Sequence, residues 1–191
     1  AAEPQRDPRL LPFVKMHGLG NDYVYVDQFE MPELPGEPAD LARRLSDRHF
    51  GIGSDGLILV GPSEEADLGM TMFNADGSEG AMCGNGIRCV AKLGYERGYA
   101  RRERIRVQTR SGIRHLQLIT GDGVAEAVRV NMGTPRLAPR DIPVHLPGKK
   151  AVNVPFFVHD RRFDGTCVSM GNPHMVVFCE DALELDLARY G

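Results

Sequence analysis

The chain has 191 residues, of which 42% are hydrophobic and 26% charged, and its net charge at neutral pH is -3. This composition excludes a disordered or fibrous chain and fits one domain, or one complete small domain plus part of a second. The slight acidity and scattered basic residues argue against nucleic-acid binding, and no apolar run approaches the roughly 18 residues of a membrane span.

The first half of the chain predicts short strands around one helix. Residues 1–12 contain three prolines and no apolar segment, so we expect a flexible tail rather than a signal peptide. Strands are predicted at 13–15 and 23–26, with a turn at 17–22 between them. A helix is expected from a cap at Asp40 to about His49. Further strands are predicted at 57–60 and 70–73, the second ending in a dense turn signal at 74–79.

From residue 84 the apolar residues recur at intervals of three, four and seven residues, which predicts a helix to about Arg97. Alternating residues at 104–109, 113–119 and 124–130 predict an antiparallel meander. The proline-rich stretch that follows marks a boundary, giving a first domain at 13–129 and the start of a second at 130–191. In the second domain we expect strands at 151–158, 166–170 and 175–179 and a helix at 181–189.

The chain contains four cysteines: Cys83, Cys89, Cys167 and Cys179. Without a secretion signal we expect free thiols in a reducing cytoplasm, although a removed plastid transit peptide is compatible with the initial alanine. The spacing of Cys83 and Cys89 does not fit a zinc site, and no metal is predicted.

The segment from Met82 to Cys89 carries the strongest chemical signal. It places Cys83 at the start of the predicted helix, where free N–H groups and the helix dipole favour a thiolate. We therefore expect Cys83 to be the most reactive thiol. The glycines that follow it permit close approach of a substrate carboxylate to the same N–H groups. Cys89 is expected to face the core.

Two other patterns in the glycine-rich loops bear on what the protein binds. The sequence Gly51-Ile52-Gly53-Ser54-Asp55-Gly56 matches a dinucleotide fingerprint, but a helix precedes it and a strand follows, which is the wrong context. Asparagines recur in these loops, and each alone is more typical of a turn, but together they suit a zwitterionic substrate. They are Asn21, Asn74, Asn85 and Asn172.

Five ordered motifs resemble the diaminopimelate epimerase family. They are Met16–Asp22, His49–Gly56, Phe73–Glu79, Met82–Cys89 and Ser169–His174. The resemblance implies an α/β fold of the α+β type with two pseudo-symmetric domains, each a mixed sheet wrapped around a central helix, the second incomplete here. It implies that Cys83 is one of two acid/base cysteines, that His174 tunes them, and that the substrate contacts are Asn21, Asn74, Gly84, Asn85 and Asn172.

The implied activity is cofactor-independent conversion of LL-diaminopimelate to meso-diaminopimelate, in lysine and peptidoglycan precursor biosynthesis. The implied partners are a small amino-acid substrate and a second copy of the chain in a cytoplasmic homodimer. No lysine has a setting that suggests pyridoxal phosphate, so no cofactor is expected. The alternatives are another cofactor-independent racemase of this fold, acting for example on histidine or proline, a phenazine-type isomerase, or a binding module without catalysis.

A weak internal repeat bears on the second cysteine. Gly20-Asn21 and Gly171-Asn172 each precede an apolar strand, and the two asparagines lie 151 residues apart. Cys83 follows Asn21 by 62 residues, so the same spacing after Asn172 predicts a second Cys-Gly pair near position 234, roughly placed by the repeat. Because inversion needs two opposed proton carriers, we expect these 191 residues alone to be inactive.

Overall fold

A computed structural model of the chain describes residues 10–191, so positions 1–9 of the predicted tail lie outside the described residues. The chain divides into two compact units, the first ending at Met132 and the second spanning Gly133–Gly191. Within the expected tail, Leu11 packs against an apolar cluster of the first unit.

The first unit is a mixed sheet with two helices. Its strands are β1 (Val14–Gly18), β2 (Asn21–Asp27), β3 (Gly56–Gly61), β4 (Leu68–Asn74), β5 (Glu79–Gly80), β6 (Arg104–Thr109), β7 (Gly112–Gly121) and β8 (Val124–Val130), and its helices are α1 (Pro38–Ser46) and α2 (Gly84–Glu96). The sheet order is β1-β2-β3-β4-β6-β7-β8, with β5 beside β4. The pairs β2/β3 and β4/β6 are parallel, and the other pairs are antiparallel, including the predicted meander of β6, β7 and β8.

Strand β3 shows how the sheet separates two apolar cores. All of its residues are buried. Successive side chains point to opposite faces, and accordingly Ile58 and Val60 pack in the cluster around α2, whereas Leu57 and Leu59 pack in the cluster that contains Leu41 of α1. A continuous apolar run is the pattern of a strand covered on both faces.

Helix α2 is the central helix of this unit. It contacts β1, β2, β3, β4, β6, β7 and β8, and its inner face is buried at Ile87, Val90, Ala91 and Gly94. A Cβ at Gly94 would lie 2.4 Å from Cδ1 of Leu68, so glycine allows the helix to approach the sheet closely. The predicted mixed sheet around a central helix is confirmed for this unit.

The predicted ends of α1 were wrong. The helix begins at Pro38, with Glu37 rather than Asp40 at the N-cap position, because proline is well suited to the first helical turn. It ends at Ser46 rather than near His49, since the Asp47 carboxylate accepts from the backbone N–H groups of His49 and Phe50 at 2.7 and 2.8 Å. Such a side-chain turn competes with continued helix.

The turn between β1 and β2 is tighter than predicted. Both strands extend to a two-residue connection of Leu19 and Gly20, at φ angles of 57° and 86°. Positive φ at both central residues is what a type I′ hairpin turn requires. This hairpin places Asn21 as the first residue of β2 rather than in a loop.

The second unit is a three-stranded antiparallel sheet with strands β9 (Val154–Val158), β10 (Arg161–Ser169) and β11 (Pro173–Val177), in the order β11-β10-β9. A 3₁₀ turn at Pro139–Asp141 precedes it, and helix α3 (Leu187–Tyr190) follows. The strand predicted at 166–170 belongs to the longer β10, and the strand predicted at 151–158 begins only at Val154. The helix predicted at 181–189 was wrong, because only four residues are helical and exposed apolar residues such as Leu183 provide no packed face.

Candidate active site

Cys83 occupies the N-cap position of α2, immediately before the helix start predicted at Gly84. Its backbone is extended, at φ -131° and ψ 116°. The backbone N–H of Gly86 donates to the Cys83 Sγ at 3.3 Å, and the Ile87 N–H donates to the Cys83 carbonyl at 2.9 Å. The thiol is only partly buried, so this helix end presents a sulfur together with unsatisfied N–H groups of the first turn.

Glycine at position 86 allows α2 to meet the sheet at this end. A Cβ there would lie 2.6 Å from Cδ1 of Ile58, a fully buried residue of β3. At Gly84, by contrast, a Cβ would meet only the tip of the Met132 side chain, at 3.3 Å. The two glycines therefore serve different purposes, since position 86 is fixed by packing and position 84 is not.

Asn21, the first residue of β2, contacts the Cys83 thiol. Its Oδ1 lies 3.3 Å from the Cys83 Sγ and accepts from the thiol. The same oxygen lies 3.4 Å from Nδ2 of Asn85. The structure therefore brings together Asn21, Cys83, Gly84 and Asn85, four of the residues singled out from the sequence.

A cluster of charged side chains lies behind Asn21. Nδ2 of Asn21 donates to Oδ2 of Asp55 at 2.7 Å, and Arg48 bonds both Asp55 and Asp22 at 3.0 and 2.8 Å. Lys15 approaches Asp22 at 3.0 Å. The hydrogen bond from Arg48, together with the Lys15 charge, outweighs burial and lowers the pKa of Asp22 to about 2.

Sequence reasoning missed three residues around the thiol: Tyr23, Asp55 and Arg88. Burial raises the pKa of Tyr23 to about 12. The alternation of β2 was the available signal for the tyrosine, because Tyr23 and Tyr25 lie on the face covered by α2 while Val24 and Val26 lie on the other.

Asn74 is placed differently from Asn21. It ends β4, and its side chain donates to the hydroxyl of Ser78 at 2.9 Å while its backbone N–H donates to the Ser78 carbonyl at 2.8 Å. Both bonds close the turn before β5. In this structure Asn74 is thus a turn residue with an exposed side chain.

Asn172 and His174 belong to the second unit. Asn172 lies in the turn between β10 and β11, and its Oδ1 is 2.9 Å from Nε2 of His174, the second residue of β11. Both residues are exposed.

The remaining cysteines are free thiols with different surroundings. Cys89 faces the core as predicted, at 6% exposure, and Cys167 is buried in β10. The end of the strand predicted at 175–179 was wrong, because β11 ends at Val177 and leaves the Cys179 thiol exposed outside it.

Within residues 10–191, His, Cys, Asp and Glu side chains form no group of three or more with the arrangement of a metal site. None of the helices in that range has the length and apolar character needed to cross a membrane. The Gly51–Gly56 segment leads from α1 into strand β3, which is the context that argued against a dinucleotide site.

The fold is similar to those of solved structures described as a racemase, an epimerase and an isomerase. Similar solved structures include a hydroxyproline epimerase from Agrobacterium vitis, with a TM-score of 0.59 and 16% identity over 86% of this chain and 50% of that one. A PhzF-family phenazine biosynthesis protein from Bacillus anthracis has a TM-score of 0.57 and 19% identity, over 87% of this chain and 54% of that one. At these identities the likeness concerns the fold alone.

Sequence comparison narrows this class to one family. The family model for diaminopimelate epimerase matches residues 13–138. Diaminopimelate epimerases from Acetivibrio thermocellus and Moorella thermoacetica are 50% and 52% identical over 94% of this chain. The chain belongs to the diaminopimelate epimerase family. It spans 63% and 64% of the length of these two relatives.

Proposed function

We propose that this chain is part of an enzyme that epimerises LL-diaminopimelate to meso-diaminopimelate without a cofactor, and that Cys83 is one of its two proton carriers. The observation that carries the proposal is the setting of Cys83. A partly accessible sulfur caps a 13-residue helix and contacts both a backbone N–H and the Asn21 amide. Family membership supports the choice of reaction, since the named relatives are diaminopimelate epimerases.

The chemistry requires a group on each face of the α-carbon, one removing a proton and the other delivering one. A thiol suits either step because it can donate as S–H and accept as thiolate. Developing negative charge on the substrate needs aimed dipoles, and the first turn of α2 offers the backbone N–H groups of Gly84 and Asn85. We propose that these N–H groups hold the carboxylate attached to the reacting carbon.

The other proposed contacts are Asn21, Asn74 and Asn172, with His174 modulating the thiols. Support for Asn21 is its 3.3 Å contact with the Cys83 Sγ. The contact between His174 and Asn172 joins two proposed site residues into one polar pair. The homodimer and the cytoplasmic location stay predictions from the family resemblance.

The decisive experiment is Cys83→Ser in the full-length protein. Serine is among the best N-cap residues, so the Gly86 N–H retains an acceptor and the fold is expected to survive. The hydroxyl is too weak an acid to replace the thiol, so incorporation of solvent deuterium into diaminopimelate should fall by at least about 100-fold. Retained turnover would show that proton transfer lies elsewhere.

Cys89→Ser is the matched control, because Cys89 lies on the same helix with its side chain in the core. It should reduce stability and leave the exchange rate of the folded protein unchanged. The 191-residue chain alone should show no exchange with inversion. Among the described residues two other cysteines, Cys89 and Cys167, are buried, and neither shares the helix-start setting of Cys83.

A further inference from the structure

We propose that Asp55 is a positioning residue that fixes the side-chain amide of Asn21 with its oxygen toward Cys83. In this arrangement Cys83 is held in the free protein as a hydrogen-bond-donating thiol. The catalytic meaning rests on the function proposed above, in which Cys83 would begin the cycle as the proton donor. The geometry itself is testable without any turnover.

The orientation of Asn21 follows from the chemistry of Asp55. Oδ2 of Asp55 lies 2.7 Å from the Asn21 side-chain nitrogen and 3.1 Å from the backbone nitrogen of Asp22. An ionised carboxylate only accepts hydrogen bonds, so the NH₂ group of the amide must face it. The amide oxygen is then left at 3.3 Å from the Cys83 Sγ. Since this oxygen is also only an acceptor, the proton of the contact belongs to sulfur.

Arg88 supports the same orientation from the opposite side, through a longer contact between Asn85 and Asn21. Its guanidinium only donates, and its Nη2 lies 2.7 Å from Oδ1 of Asn85, while Nη1 is anchored on the Gly84 carbonyl at 2.8 Å. The NH₂ group of Asn85 therefore faces Oδ1 of Asn21, at 3.4 Å. A flipped Asn21 would set oxygen against the Asp55 carboxylate and nitrogen against the nitrogen of Asn85.

Other titratable or charged groups near the sulfur come from three elements. Strand β2 supplies Tyr23 and Tyr25, α2 supplies Arg88 and Cys89, and Asp55 lies just before β3. Burial raises the pKa of Tyr23 to about 12 and that of Tyr25 still further. Both phenols therefore remain neutral over the pH range in which a free cysteine ionises, which is centred at about 8.5.

The test is the pH dependence of Cys83 alkylation in the full-length protein, with iodoacetamide as probe and mass spectrometry of the Cys83 peptide as readout. In Asp55→Ala the Asn21 NH₂ group loses its 2.7 Å carboxylate acceptor, and only the longer 3.4 Å contact from Asn85 still opposes a flip. The amide can then turn its NH₂ group toward sulfur, which favours the thiolate. The pH of half-maximal rate should fall by about 0.5 to 1 unit, and the rate below that pH should rise about 3- to 10-fold.

Two further variants separate positioning from charge. Asp55→Asn keeps an oxygen for the two donors at this site, the Asn21 amide and the Asp22 N–H, and should restore the original midpoint. Arg48→Gln removes the ion pairs of Arg48 with Asp22 and Asp55 but leaves the bond from Asn21 to Asp55. It should therefore leave the midpoint in place.

The proposal is overturned if Asp55→Ala leaves the midpoint unchanged, or if Asp55→Asn or Arg48→Gln shifts it equally. If Asp55→Ala only loosened the structure around Cys83, the alkylation rate would rise at every pH and the pH of half-maximal rate would not move. The Ala variant keeps both backbone bonds of residue 55, to Asp22 and Ala75. Should it still fail to fold, Asn21→Ala, which removes the acceptor itself, must lower the midpoint.

A double variant shows whether Asp55 acts through Asn21. Adding Asp55→Ala to Asn21→Ala should produce no further shift, because the two changes act on one contact. An additive shift would overturn the positioning role. Failure of the proposed function is seen separately, as turnover that survives Cys83→Ser while the midpoint shifts of the Asp55 series are observed.

Discussion

Replacing Gly86 by alanine tests whether close packing of α2 on β3 positions the Cys83 thiol. The added Cβ would lie 2.6 Å from Cδ1 of Ile58, and the next neighbour is Cε of Met70 at 3.4 Å. Carbon atoms in contact are ordinarily about 3.5 to 4.0 Å apart, so the overlap with Ile58 is roughly 1 Å. Ile58 is fully buried, and relief therefore requires its side chain or the start of α2 to move.

The net effect is a difference of two terms. Overpacking in a well-filled core costs about 1 to 3 kcal/mol. Alanine is a better helix former than glycine by up to about 1 kcal/mol, which offsets part of that cost. We expect Gly86→Ala to lower the free energy of unfolding by about 1 to 2 kcal/mol. It should also disturb the bond from the residue 86 N–H to the Cys83 Sγ.

Gly84→Ala is the matched control. It lies in the same helical turn and gains the same propensity, but its Cβ would meet only the flexible tip of Met132, at 3.3 Å. Urea unfolding followed by tyrosine fluorescence reports on the first unit, because four of the five tyrosines lie there and the chain has no tryptophan. Unfolding free energies for the two variants that agree within about 0.5 kcal/mol would refute the packing argument.

Two further predictions concern buried or paired carboxylates. The pKa of Asp22 is about 2 in the folded chain and about 3.9 when unfolded, so its stabilisation is complete above pH 4 and is lost as pH falls toward 2. Because its partner Arg48 is exposed, we expect Asp22→Asn to lower the free energy of unfolding in urea by only about 1 kcal/mol at pH 7, and not at all near pH 2. An equal decrease at both pH values would contradict this. Asp27 is buried and accepts from both Arg97 and Tyr99 at 2.7 Å, so Asp27→Asn should cost about 2 to 3 kcal/mol. Asp40→Asn, at an exposed pair with Arg43, should cost under about 0.5 kcal/mol in the same measurement, and similar losses for the two would refute the role of burial.

The central helix and the meander were predictable because their signals are local. Apolar residues at helical spacing specify the inner face of α2, and period-two alternation specifies β6, β7 and β8. The ends of α1 were missed because they depend on a competition between helix and a side-chain turn at Asp47. Propensity alone does not determine the outcome of that competition.

The charged cluster of Lys15, Asp22, Arg48 and Asp55 was not predicted, for a different reason. Parallel pairing of β2 with β3 aligns Val24 with Leu57, a separation of 33 residues. The same separation places Asp22 beside Asp55, where the Asp55 N–H donates to the Asp22 carbonyl at 2.8 Å. A one-residue change of register would move the Asp55 side chain to the other face of the sheet. The contact of Asp55 with Asn21 is therefore a property of the register.

The two Gly-Asn turns separate what the local sequence determines, the backbone conformation, from what tertiary contacts determine, the side-chain partners. Gly20 and Gly171 both have positive φ, at 86° and 113°, and each asparagine that follows begins or directly precedes the second strand of a hairpin. Similar local sequence has thus produced similar local structure. The side-chain partners nevertheless differ, since Asn21 bonds Asp55 and Cys83, whereas Asn172 bonds His174 two residues away. A Gly-Asn turn specifies a hairpin, and only the strand and helix packed behind it determine whether its amide contacts a thiol.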